Sequence, residues 1–535
     1  MDFVKLAKFI CLSSILLILF FFIFNPTWDS NDDLMMSMLA HGYGIAAKGT
    51  PNIVYSNIIW GYFIRLLPSI NTIFGYTIAT IFTLYIFILL IFIILSKLHI
   101  KIYESLIIIL LGLSYPIIFP QYTINAGIFA VIALFFLYFY LIEERLCYLF
   151  LFVLLAYFSF LIRYYECFFI LILCLPVLTL KKILNDLYLL ISIIFLIILF
   201  ILSSYFNNLA YNKPEWEQFN SWNLVRIKIT DYNKDILLKK NTKLLKEYGY
   251  SLNDISLIKN WFFVDSKITN TYKINKMISE ISTINNLKIS FFTGKESLRI
   301  IFNRHVKYQF LAAFLIFLLH FNFKILKIWL FFILICFFIG FLGRPYVLRI
   351  YIPVVFLLLI LPYLFKIKVN IVILFLIKSI ILVLLINHLG IVLSASLNNR
   401  IIINKVNSDL RIFPKTTVVT WGAAFPFEMI YPLIKPSKEA LKYRLYGLGV
   451  FTFNPNTVSY EEQKAGTGLV NRLLTEKGVL MVANSSHYAI LKTYCLERFN
   501  GILEELDSKK IGFETLSRQR CVKDGQSNRS ETSAN

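Results

Sequence analysis

The chain has 535 residues, 58% of them hydrophobic, and its Lys and Arg outnumber Asp and Glu 53 to 31 for a formal net charge of +22. A soluble domain has no need of apolar runs such as 78–95, 106–119 and 183–203, and the last can cross a hydrocarbon layer of roughly 30 Å at about 1.5 Å per residue. The composition excludes a soluble enzyme, and it reassigns the basic excess from nucleic acid to span-flanking residues that meet anionic membrane lipid.

Lys5 and Lys8 precede an apolar run to Phe24, and Asn25-Pro26-Thr27-Trp28 lacks the small-x-small pattern of a cleavage site, so the first span is expected to be kept. About eleven spans are expected in an all-α polytopic membrane protein, at 9–24, 74–95, 103–119, 123–141, 147–162, 167–180, 187–205, 308–321, 328–342, 349–365 and 379–397. With the N-terminus inside, the short inner loops carry Lys97 and Lys101, Arg145, Lys181 and Lys182, Lys324 and Lys327, and Lys366 and Lys368. Every one is basic, as the positive-inside rule requires. The C-terminus then lies outside.

The domains read as seven spans over 1–205, an external loop over 206–307, four more spans over 308–397, and an external α/β domain over 398–525. Residues 526–535 have a disordered composition. In the tail, Thr416 to Trp421 is strand-like and Gly422 breaks it before a helix through Ile434. A strand at 478–483, a helix at about 485–499 and a third strand at 513–522 follow. Of the seven cysteines, only Cys495 and Cys521 both lie in the tail, where an oxidising compartment would let them bridge.

The densest polar feature is Trp28-Asp29-Ser30-Asn31-Asp32-Asp33-Leu34, in the long loop 25–73. Leu34, Met35, Met38, Leu39 and Ala46 share one helical face, so 33–47 reads as an interfacial amphipathic helix ended by Gly49-Thr50-Pro51. A second is expected from Ser56 to Leu67. Ser30, Asn31 and Asp32 are good N-caps, but capping needs one carboxylate and three are present. Asp32 or Asp33 is therefore a candidate general base.

A short first span, an acidic first outer loop with two interfacial helices, and long outer loops after spans one and seven resemble the GT-C glycosyltransferases. The resemblance covers about residues 1–400 in layout, and the acidic loop alone in motif. It implies a seven-span module, a polyprenyl-phosphate-linked sugar as donor, a cell-envelope glycan or lipid-linked acceptor, and a catalytic Asp matched here by Asp32 and Asp33. It also implies a bacterial cytoplasmic membrane with catalysis on the outer face. Many members carry a second acid after span three, but Phe119-Pro120-Gln121-Tyr122 has none. Glu166 is the nearest substitute, and an Arg163–Glu166 pair at helical spacing is its bland explanation. Some members hold a divalent metal through such acids, which leaves metal dependence open here.

Donor phosphate calls for cations near the outer surface, and Arg344 and Arg349 fit, with Arg349 deeper at the start of an apolar run. Snorkelling anchors would look the same. Trp222, Asn223 and Arg226 open the second long loop as acceptor-binding candidates. The segment from Trp421 to Glu428 reads as a strand-to-helix turn. Nucleotide-binding motifs are missing from the sequence, which disfavours a soluble nucleotide-sugar donor. An O-antigen-type polymerase or ligase and a lipid-linked glycan flippase or transporter are the rival readings. The acidic loop favours an enzyme over a flippase, and span residues are rarely ionisable, with Lys378 near an end.

Overall fold

The structure, a computed structural model, describes residues 3–176, 185–282, 286–344, 347–365, 370–407, 413–434, 436–511 and 513–523. The expected inner-loop residues Lys181, Lys182, Lys366 and Lys368, and the stretch 526–535, lie outside the described residues. The protein is mostly helical, with a small mixed sheet near the C-terminus. Among the described residues, seven helices are long and apolar enough to cross a membrane: Phe3–Ile23, Gly75–Lys97, Tyr122–Glu143, Leu146–Leu173, Leu187–Tyr211, Phe323–Phe341 and Ile371–Asn407. Three shorter apolar helices, Ile102–Ile118, Lys307–Leu319 and Leu348–Leu364, accompany them.

Two of the expected spans, 147–162 and 167–180, share the helical run Leu146–Leu173, which is broken at Arg163 by extended backbone (φ −160°, ψ 99°). Beyond the break, Cys167 Sγ lies 3.5 Å from the carbonyl of Ala156, 11 residues earlier, whereas a straight helix would part them by about 16 Å. The ring of Phe168 likewise lies 5.9 Å from that of Phe160. The second limb therefore doubles back along the first. Tyr122–Glu143 is the most enclosed long helix, and its Gly127 lets Pro353 approach so closely that a Cβ there would sit 2.5 Å from the proline ring.

Contacts sort the helix ends into two faces. On one, Lys97 pairs with Glu143, the Tyr140 hydroxyl donates to Asp186 at 2.9 Å, and His320 Nδ1 lies 3.0 Å from the Phe365 carbonyl. On the other, the Thr27 N–H donates to the Ile118 carbonyl at 3.1 Å, the Asn57 N–H to Leu161 at 2.9 Å, and the Val54 N–H to the Tyr211 hydroxyl at 2.8 Å. Both long loops and the tail gather on this second face.

The 206–307 region is helical, and Trp222, Phe262 and Phe263 belong to its core, which it shares with the tail. Arg498 reaches Asp254 at 2.7 Å to join the two. In the tail, strands β1 (Val418–Trp421), β2 (Leu445–Leu448), β3 (Val479–Val482), β4 (Gly501–Lys510) and β5 (Thr515–Lys523) lie in the order β2-β1-β3-β5-β4. β1 runs parallel to β2 and β3, and β5 antiparallel to β3 and β4. The helix Ser485–Phe499 begins where the Asn484 side chain caps the His487 N–H, and Cys495 and Cys521 are bridged with their Cα atoms 5.8 Å apart.

The helix expected through Ile434 is instead a 3-10 turn at Gly422–Ala424 and a single α-turn at Phe427–Ile430. Pro432 disfavours helical backbone at Tyr431, which adopts φ −121°, ψ 66°.

Candidate functional site

The first long loop builds one wall of the site. Ser30 stands at the N-cap of helix Asn31–His41 (φ −145°, ψ 159°) without a side-chain cap bond, so no acid of this segment serves as its cap. Leu34, Met35, Met36, Met38 and Leu39 are all buried, each stabilising the fold by about 1.5–3 kcal/mol. This helix is thus packed inside the protein and ends at Gly42 (φ 76°), where the sequence suggested a surface amphipathic helix reaching residue 47. The second expected helix is present as Ile58–Leu66, capped by Asn57.

Burial on nearly all sides forces the two adjacent acids apart. Asp33 points into the bundle and is 1% exposed; its Oδ1 accepts from the Tyr76 hydroxyl and the Tyr122 N–H, both at 2.9 Å. Asp33 therefore satisfies an orphan N–H at the start of another helix. Its Oδ2 is buried without a hydrogen-bond partner. Burial pushes the Asp33 carboxyl well above the usual range, with the Tyr76 hydrogen bond opposing and the charge of Asp32 adding to the rise.

Asp32 points the other way. Its Oδ2 accepts from Arg349 Nη1 at 3.0 Å, in a pair that is only partly screened from solvent. The third acid of the segment, Asp29, is half-buried beside both: it accepts from the Tyr115 hydroxyl, and desolvation raises its carboxyl despite that bond and the Arg349 charge.

A cavity of about 520 Å³ opens over Asp32. Met35 and Ile45 of the first loop, Trp261 of the second, Ile402 at the end of the last long helix and two tail segments, 422–429 and 447–451, line it. Backbone bonds fix the tail against the first loop: the Leu445 N–H donates to Gly44 at 2.9 Å, Ala47 to Asn456 at 2.8 Å and Val458 to Ile45 at 2.9 Å. Glu428 faces the same cavity. Burial raises its carboxyl, and the charges of Asp29 and Asp32 raise it further.

The other candidates divide. Arg349 joins Asp32, but Arg344 donates to Asp231 at 2.7 Å and stacks over Tyr232, so it ties the second loop to the bundle. Pro345 and Tyr346 between the two arginines lie outside the described residues. Glu166 is buried 3.5 Å from Arg163, the ion pair its spacing suggested. That arginine sits at the fold-back and donates to the Tyr55 carbonyl at 3.1 Å, with Tyr55, Tyr122 and Tyr165 packed against its guanidinium.

Trp222 is 2% exposed and packs edge-on against Phe263, so it presents no face to a sugar. Arg226 is buried too, bonded to Asn223 and laid over Trp261. The residues expected as acceptor-binding, Trp222, Asn223 and Arg226, thus belong to the core of the second loop and its edge, and they support the cavity through Trp261.

Sequence reasoning passed over Trp261 and Glu428. Neither has a motif; Asn260-Trp261 offered only a polar–aromatic pair, and Glu428 lay in a segment read as a turn. Among the described residues no group of three His, Cys, Asp or Glu side chains could hold a metal ion. In comparisons with protein-family models, curated proteins and solved structures, nothing matched the chain.

Proposed function

We propose that this protein is an outward-facing membrane glycosyltransferase of GT-C type, with eleven spans and the loop-bearing face outside, which moves a sugar from a polyprenyl-phosphate donor to a saccharide acceptor of the cell envelope. The observation that carries the reading is the Asp32–Arg349 pair, of which Asp32 lines the cavity and Arg349 stands behind it. A carboxylate and a guanidinium side by side match the two needs of the reaction. Asp32 takes the proton of an acceptor hydroxyl as its oxygen attacks the sugar's anomeric carbon. The bond from that carbon to the phosphate oxygen breaks, and the polyprenyl phosphate leaves with its electron pair, held by Arg349. In-line displacement inverts the anomeric centre. An arriving phosphate competes with Asp32 for the guanidinium, so donor binding releases the carboxylate for its role.

Asp33 is assigned to positioning, because both of its oxygens are enclosed. The test is envelope glycan measured in cells whose chromosomal copy is deleted and which carry Asp32→Asn or the unaltered protein at matched level. Unchanged glycan in the Asn strain removes the reading. Reporter fusions after Lys101 and at Asn212 test orientation separately, with the first expected inside and the second outside.

A further inference from the structure

The cavity over Asp32 has a second polar pole. Glu428 projects from the tail onto the same space as Asp32, and no side chain pairs with it among the described residues. The remaining lining is mainly apolar: Trp261 is the half-buried ring, and Phe425, Phe427 and Phe451 are buried behind the cavity surface. Gly449 leaves open space where a side chain would stand. Such a mixture, two fixed acceptors beside one accessible aromatic ring, suits a saccharide: the sugar's C–H face lies on Trp261 while its hydroxyls donate to carboxylates. A volume of about 520 Å³ accommodates roughly one or two sugar rings.

Resting on the glycosyltransferase reading, we propose that this cavity is the acceptor site, that its occupant is a saccharide, and that Glu428 is a positioning residue which accepts a hydrogen bond from an acceptor hydroxyl so that another hydroxyl meets Asp32. The tail is then the acceptor-binding part of the enzyme, and Arg349 marks the donor side. The carboxyl environment agrees: a half-buried group raised by desolvation, and further by the charges of Asp29 and Asp32, gains most from a donor that enters with the ligand. Ile402 places the cavity rim at the end of the long apolar helix Ile371–Asn407, so the saccharide can arrive on a lipid or as part of a free glycan.

Photo-crosslinking in the native cells separates these outcomes without relying on activity. A benzophenone amino acid is placed at Ala423, and in a second strain at Met429, both on the cavity wall. A third strain carries it at Leu397, on the exposed side of the last long helix, as a control for ordinary lipid. The full-length protein is then purified and its adducts are read by mass spectrometry.

Sugar fragments on adducts at 423 or 429, and not at 397, are expected. A polyprenyl phosphate mass on an adduct that persists in Arg349→Ala identifies a lipid-linked acceptor rather than the donor, and its lack a free glycan. Glu428→Gln should reduce that adduct at least about tenfold, the lower end for a hydrogen bond to a charged group, with Glu428→Asp restoring part of it. Arg349→Ala should leave it in place. Adducts bearing only phospholipid or peptide at both positions overturn the proposal, as does a saccharide adduct indifferent to Glu428→Gln. Sugar adducts that persist while Asp32→Asn leaves glycan production intact would instead keep the saccharide site and remove the transferase reading.

Discussion

Arg349 Nη1 lies 3.0 Å from Asp32 Oδ2, joining two residues that stand 317 positions apart in the chain. Neighbouring Asp33 makes no contact with this arginine; its bonds run to Tyr76 and Tyr122. The two acids should respond differently to the same substitution. Asp32→Asn is expected to lower glycan transfer by about 10²–10⁴-fold, the range for loss of a positioned base. Asp33→Asn keeps an oxygen for both of its hydrogen bonds and should leave most activity. Arg349→Ala should cost activity to a similar degree as Asp32→Asn, and the double variant should be little worse than either single one. Fully additive losses would show that the pair does not act as a unit. Arg349→Lys should recover only part of the function, because an ammonium lacks the planar fork.

Asp33 also makes a stability prediction. Its carboxyl is raised by burial in the folded protein, so its contribution is fully present below the ordinary value of 3.8 and is lost as pH rises through the folded value. Asp33→Asn cannot charge and escapes that loss. Thermal midpoints of the purified protein between about pH 4 and 8 should therefore show the variant gaining on the unaltered protein as pH rises. A midpoint difference that shrinks with rising pH would mean that Asp33 is held charged by its two donors.

Arg344 was paired with Arg349 as a phosphate ligand on sequence grounds, and its position predicts otherwise. Its side chain is 34% exposed and bound to Asp231, 20% exposed, at 2.7 Å. Exposed pairs contribute about 0–1 kcal/mol, so Arg344→Ala should change activity by no more than about fivefold. Asp231→Ala should cost at least as much, since it opens the same tie and also unpairs the buried Arg226, 3.6 Å from Asp231. An Arg344→Ala loss as deep as that of Arg349→Ala, with Asp231→Ala mild, would return Arg344 to the donor site.

The division between what the sequence could and could not disclose follows the range of the interactions. Helices such as Tyr122–Glu143 and Leu187–Tyr211 announce themselves through continuous apolar runs. The helix Ser485–Phe499 and the flanking strands are set by local periodicity and by the Asn484 cap. Even the fold-back at Arg163 was visible as two short spans around a polar Arg-Tyr-Tyr-Glu break. The acids of the first loop stood out because charge beside spans is costly. What stayed hidden was pairing between distant segments. Nothing local tells that Arg349 meets Asp32 while Arg344 meets Asp231, or that Trp222 is core while Trp261 lines the cavity. Strand β2 was missed because Leu-Tyr-Gly-Leu is too short to carry a period, and β4 because Glu, Asp and Lys fill most of its exposed residues.

The tail gives the last prediction, since it is held in place by two independent means. Backbone bonds from residues 44–47 fasten it to the first loop, and the Cys495–Cys521 bridge, spanning 26 residues, ties helix Ser485–Phe499 to β5 within it. Closing a loop of 26 residues is worth about 3.5 kcal/mol by the chain-entropy estimate. Replacing both cysteines by alanine should lower the unfolding midpoint of the tail without moving that of the helical bundle, where neither residue packs. The cavity wall at 422–429 and 447–451 follows directly on β1 and the end of β2, so transfer activity should become heat-sensitive at temperatures where membrane insertion is still normal. The check is limited proteolysis against temperature, with the tail and bundle fragments followed separately. Equal midpoints with and without the two cysteines would show that the first-loop bonds alone hold the tail, and heat-stable activity in that variant would confirm that the wall needs no bridge.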